Sequence, residues 1–169
     1  MVIGNWLSLL ARQSSHGAPI GWDEVVVGHD FGFLKPEEIQ GWVKDQAFVG
    51  EACEHLVSLR GAALEDFEAS LWQASAEVTG KAPRPGGRRW AQAQDRWRLA
   101  LLKDVLEAPL GGEALGIAVE SIYDCVGCPE DMLGLWRRAD RWAKTPAAAE
   151  RAAIQAFIQH HDRDFSTVS

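Results

Sequence analysis

The chain has 169 residues, 47% hydrophobic and 24% charged, which suits one soluble domain able to bury a core without disulfide or metal staples. Three cysteines are too few, and odd in number, for a secreted disulfide framework, and they fit thiols in a reducing cytoplasm. No apolar run approaches the roughly 20 residues that span a bilayer, and the net charge of −7 is uneven: residues 1–80 hold four basic against twelve acidic side chains, a balance of −8, whereas residues 81–169 hold thirteen against twelve, a balance of +1.

The opening stretch, "MVIGNWLSLLARQSSHG", has an apolar patch but neither a basic n-region nor a clear cleavage site. It reads as a first helix, not a signal peptide. Trp22, Val25, Val26 and His29 then fall on one helical face, with Asp23 and Glu24 in the first turn. A third helix opens at "KPEEI", where Pro36 suits the first helical position and Glu37 and Glu38 favour the positive N-terminal end. Its apolar stripe is Ile39, Trp42 and Val43. Ala52, His55, Leu56 and Leu59 make a fourth pattern, stopped near Gly61, and Leu64, Phe67, Leu71 and Trp72 a fifth, stopped near Gly80. In each, the spacing of three and four puts the apolar groups on one side of a helix.

"TGKAPRPGGRR" follows, an exposed Pro/Gly loop near 79–89. A domain boundary there would leave two small helical units, so a single domain over 1–169 is the simpler expectation. The longest helix runs from about Trp90 to Leu106. Its stripe of Trp90, Trp97, Leu101 and Val105, widened by Ala93, Leu102 and Leu106, suggests a central helix packed on several neighbours. "APLGG" ends it, and Leu115, Val119, Ile122, Tyr123 and Val126 give the next helical face. Pro129 starts a short helix through Leu133 and Trp136, and Pro146 starts the last, with Ile154, Phe157 and Ile158 inward. The polar tail, 162–169, is expected to fray. No segment alternates with a period of two and no repeat is present, so the fold class is all-α: a single domain of about eight or nine helices in antiparallel packing around a Trp/Leu-rich core.

Four features invite a chemical reading. The pair Cys125 and Cys128, followed by Pro129, is one Cys-x-x-Cys where a structural zinc site needs four ligands. Redox activity needs such a pair at a helix N-terminus, whereas Cys125 ends a helix. The pair is better taken as small hydrophobes packed at a corner. His29 and Asp30 form the His-Asp dipeptide of helical metal hydrolases, with His16 as a candidate first histidine, but nothing identifies a final Asp, and His29 lies on an apolar face. Arg88, Arg89, Arg96 and Arg98 interleave with Trp90 and Trp97 as in single-strand nucleic-acid binders. Both tryptophans nevertheless fall on the core stripe, and an acidic chain is repelled by phosphate. Most of the eight tryptophans sit at core positions; Trp6 and Trp142 are placed as surface anchors.

Three stretches, "GWDEVVVGHDFGFLKPEEIQGWV", "RWRLALLKDVLE" and "ESIYDCVGCPEDMLGLWR", resemble a bacterial family catalogued as a domain of unknown function. Its members occur near polymorphic-toxin and contact-dependent inhibition genes and are regarded as immunity proteins. Lys35 departs from the family's capping Ser or Thr, so that helix lacks a side-chain N-cap. Cys128 stands where the family has an aromatic residue. The resemblance implies a cytoplasmic immunity protein without catalytic, cofactor or metal residues, whose partner is a cognate toxin domain and neither nucleic acid nor membrane. The acidic N-terminal half is the natural face for a basic toxin such as a nuclease. Its expected contact residues are Asp23, Glu24, Asp30, Glu37, Glu38, Asp45, Glu51 and Glu54. The alternatives from other classes are a metal-dependent hydrolase using His29 and Asp30, and a helical adaptor.

Overall fold

A computed structural model describes residues 5–14, 18–139, 144 and 146–166, the side chains of 163–166 excepted. Among the described residues the regular structure is nine α-helices and one 3-10 turn, with no strand. The fold is all-α, as the periodicities require. It gathers into two compact units, Ile20–Gln94 and Met1–Pro19 with Asp95–Ser169. The Pro/Gly loop near 79–89 lies wholly within the first, so the division follows the packing and not the breaker residues.

The Ile20–Gln94 unit contains α2 (Trp22–Asp30), α3 (Pro36–Asp45), α4 (Glu51–Ser58), α5 (Leu64–Thr79) and the start of α6 (Arg88–Glu107). None of the residues preceding α2, α3 or α4 caps with its side chain; carboxylates compensate. Glu24 reaches back to accept from the Gly21 amide at 2.8 Å, and Glu38 accepts from the Lys35 amide at 2.9 Å. Each supplies one half of a capping box. At α4 the carboxylate comes from another helix: Glu77 of α5 accepts from the Ala52 and Cys53 amides, each at 3.2 Å.

Burial follows the expected stripes on α2 and α3, where Trp22, Val25, Val26, Ile39, Trp42 and Val43 are all buried. Trp22 meets Trp42 edge-on at 5.1 Å, and Phe48 lies 5.2 Å from Trp22, the geometry aromatic rings prefer. The face of α4 is corrected: Cys53 and Leu56 are buried, while His55 is exposed and Ala52 only half-buried. Leu64 also departs from its stripe, being 59% exposed in the first turn of α5. Here α5 packs on α4 and α2, and α4 on α3.

The other unit contains α1 (Trp6–Gln13), the remainder of α6, α7 (Gly112–Cys125), the 3-10 turn Glu130–Met132, α8 (Leu133–Ala139) and α9 (Ala147–Ser166). Asn5 caps α1, its Oδ1 accepting from the Ser8 amide at 2.9 Å. Trp97 through Leu102 are all buried, so α6 is enclosed around this stretch more completely than a stripe requires. Arg98 is therefore trapped inside. Its guanidinium bonds Asp95 at 2.6 Å, both oxygens of Asp131 and His161 Nδ1 at 3.2 Å, and it lies over the Phe157 ring. Arg151 of α9 closes the other end of α6, donating to the Leu106, Ala108 and Leu110 carbonyls at 2.7–3.0 Å. Such donors satisfy carbonyls that a helix C-terminus leaves unpaired. α9 is helical to Ser166, past His161 and into the polar tail; residues 167–169 of that tail lie outside the described ones.

Candidate functional site

The eight expected contact residues divide into two groups. Asp23 pairs with Arg89 at 2.5 and 2.8 Å, tying α2 to the start of α6. That hydrogen bond is the main reason the Arg89 pKa is raised. Glu24 and Glu38 close helix N-termini, as above. These three hold the fold together and are only partly available to a partner. Asp30, Glu37, Asp45, Glu51 and Glu54 are exposed and make no hydrogen bond or ion pair among the described residues. Asp30 ends α2, Glu37 and Asp45 lie at opposite ends of α3, and Glu51 and Glu54 occupy the first turn of α4. Glu65 and Asp66, exposed in the first turn of α5, belong with them. Their place in the first turn after Ala63 is a signal the sequence carries, since acids favour a helix N-terminus. Exposed acids are thus spread over four helices of one unit.

The other motifs are absorbed by structure. His29 Nδ1 lies 3.1 Å from the Leu34 carbonyl, so that nitrogen carries the proton, and the ring packs edge-on against Phe67. Nε2 is 3.7 Å from Glu68, too far for a hydrogen bond. Asp30 points to solvent while the His29 side chain is 8% exposed, so the dipeptide does not form a joint site. His16 lies outside the described residues. Among the described residues no three His, Cys, Asp or Glu side chains gather in a way that could hold a metal ion. Three of the four interleaved arginines are engaged internally: Arg89 with Asp23, Arg98 as above, and Arg96 with Ser14 Oγ and the Ala18 and Pro19 carbonyls. Trp90 and Trp97 are buried. Trp6 is half-buried against Trp97, and Trp142 lies outside the described residues.

The Cys-x-x-Cys corner is built as a helix stop. The Cys128 amide donates to the Tyr123 carbonyl at 2.9 Å and the Gly127 amide to Asp124 at 3.3 Å, with Gly127 at φ +80°. This is a Schellman motif with glycine at its left-handed position, and Cys128 follows it in the left-handed region as well, at φ +53°. Val126 and Met132 pack inward on either side, while both thiols are exposed. The expectation that Cys125 and Cys128 pack as small hydrophobes is therefore corrected: the corner packs through their neighbours.

Comparison with protein-family models, curated proteins and solved structures yields no match to this chain. Among the described residues no helix is long and apolar enough to cross a membrane.

Proposed function

We propose that this chain is a bacterial immunity protein of the cytoplasm, which binds a cognate toxin domain and blocks its active site or substrate cleft without catalysis of its own. The observation that carries this reading is the set of exposed carboxylates on α2–α4 that are unpaired among the described residues, in a stretch, residues 20–80, with twelve acidic side chains against three basic ones. Such a surface suits a basic partner. Complementary potentials speed encounter, and the desolvated centre of the contact then sets the dissociation rate. A basic nuclease fits best, because exposed carboxylates can stand where phosphates would lie. The resemblance to immunity proteins points the same way and supplies the class of partner.

The test is co-expression with a basic toxin domain drawn from the chain's own genomic neighbourhood. Growth is rescued and the two proteins co-purify. Converting Asp30, Glu37, Asp45, Glu51 and Glu54 together to Lys abolishes rescue while circular dichroism stays helical. No rescue by the unaltered chain, or full rescue by the five-lysine variant, defeats the reading.

A further inference from the structure

The Ile20–Gln94 unit contains a hollow of about 480 Å³ between α3 and the chain joining α4 to α5. That volume lies within the range of small-ligand sites. Its apolar wall is Leu59, Leu64 and Phe67. Leu64 is held 59% exposed at the edge, an arrangement that burial by a ligand would relieve. Gln40 crosses the base, its amide donating to the Leu56 and Leu59 carbonyls, both at 2.9 Å, which fixes the α4–α5 connection against α3.

Two cations, Lys44 and Arg60, line the hollow. Residues 20–80 have only three basic side chains, against twelve acidic ones, so two of the three converge on one concavity in an otherwise acidic region. Arg60 is positioned by Nη1, which donates to the Val57 and Leu59 carbonyls, both at 2.8 Å. Its Nε and Nη2 make no hydrogen bond among the described residues, and neither does the Lys44 ammonium. Glu37 lines the hollow too, but seven residues from Lys44, about 10 Å along the helix axis, which leaves the Lys44 end positive. Next to Gln40, a Cβ at Gly41 would meet nothing within 4 Å, so there is free space on the α3 side.

We infer that this hollow binds a small amphipathic carboxylate, its anionic head on Lys44 and Arg60 and its aryl or short alkyl body against Leu59, Leu64 and Phe67. The inference goes beyond toxin binding and does not depend on it, since neutralisation needs the exposed acids and this site needs the two cations.

The probes are 4-phenylbutyrate and its neutral analogue 4-phenyl-1-butanol, titrated into the full chain and followed by amide chemical shifts. The acid gives saturable shifts in α3 and residues 59–64 and binds roughly tenfold more tightly than the alcohol, as two ion pairs at a partly enclosed site would produce. Lys44→Met and Arg60→Met each weaken the acid roughly threefold and leave the alcohol unchanged. Gly41→Leu, which fills the hollow at a position open to a side chain, removes both ligands while the fold is retained. The inference is overturned by absence of saturable shifts with the acid, by equal affinity for acid and alcohol, or by a Lys44→Met/Arg60→Met double variant that binds the acid as the unaltered chain does.

Discussion

Gly50 and Glu77 depend on each other. Gly50 has φ +155°, and a Cβ there would sit 2.2 Å from Glu77 Oε2. Glu77 is long enough to swing away, so the clash itself costs little; what is lost is the carboxylate on the first turn of α4. Glu77→Ala is expected to cost about 1 kcal/mol, the usual worth of an N-cap. Gly50→Ala adds backbone strain and costs about 1–3 kcal/mol. In urea titrations the double variant should lose less than the sum of the two, because both remove the same cap. The cysteines give a second residue-scale prediction. Burial first, and the Glu77 carboxylate second, hold the Cys53 thiol above its ordinary pKa, and Cys53 is buried while Cys125 and Cys128 are exposed. A disulfide reagent should therefore titrate two thiols in the native protein and the third only on unfolding. Replacing both exposed cysteines by Ser should shift stability by no more than about 0.5 kcal/mol. Loss of a stoichiometric metal on that change would restore a metal role to the pair.

Between elements, the arginine at the centre of α6 does what an apolar side chain cannot. Through Asp131 and His161, Arg98 joins α6 to the 3-10 turn before α8 and to α9. Burial works against the Asp131 charge, but the hydrogen bond and charge of Arg98 outweigh it, and the Asp131 pKa is lowered in the fold. A carboxyl group with a lowered folded pKa stabilises the native state above its unfolded value, near 4. That contribution is lost as pH falls through the folded value. The urea midpoint of the unaltered chain should thus fall below about pH 4 by more than that of Asp131→Asn. The Asp131 side chain is 46% exposed, so water screens the pair and the difference is modest. A steeper acid loss in Asp131→Asn than in the unaltered chain would contradict the assignment.

For the molecule as a whole, charge is the property with the longest reach. The net charge of −7 belongs to residues 1–80, and the structure removes Asp23, Glu24 and Glu38 from the freely available set by assigning them to a salt bridge and two helix starts. Association with a basic toxin should accordingly slow as salt rises, by about tenfold or more between low and physiological ionic strength, because screening shortens the range of attraction. Stopped-flow mixing measures this directly. An association rate indifferent to salt would mean that the exposed acids only solvate the surface.

The spacing of Trp22, Val25 and Val26, of Ile39, Trp42 and Val43, and of Leu115, Val119 and Ile122 was enough to determine the all-α class and most of the core. A helix that buries one side must repeat its apolar residues at three and four. Pro36, Gly80 and Gly127 likewise marked helix ends by their own backbone preferences. Local pattern could not say which acids would be spent inside the fold, since Glu77 caps a helix 25 residues before it and Asp23 meets an arginine 66 residues later. Nor could it foresee that Cys53 and not His55 would face inward, or that Lys44 and Arg60 would line one hollow. Those outcomes depend on which helices pack together, and only the tertiary structure decides that, because the partners are distant in the chain and are joined by packing, not by spacing.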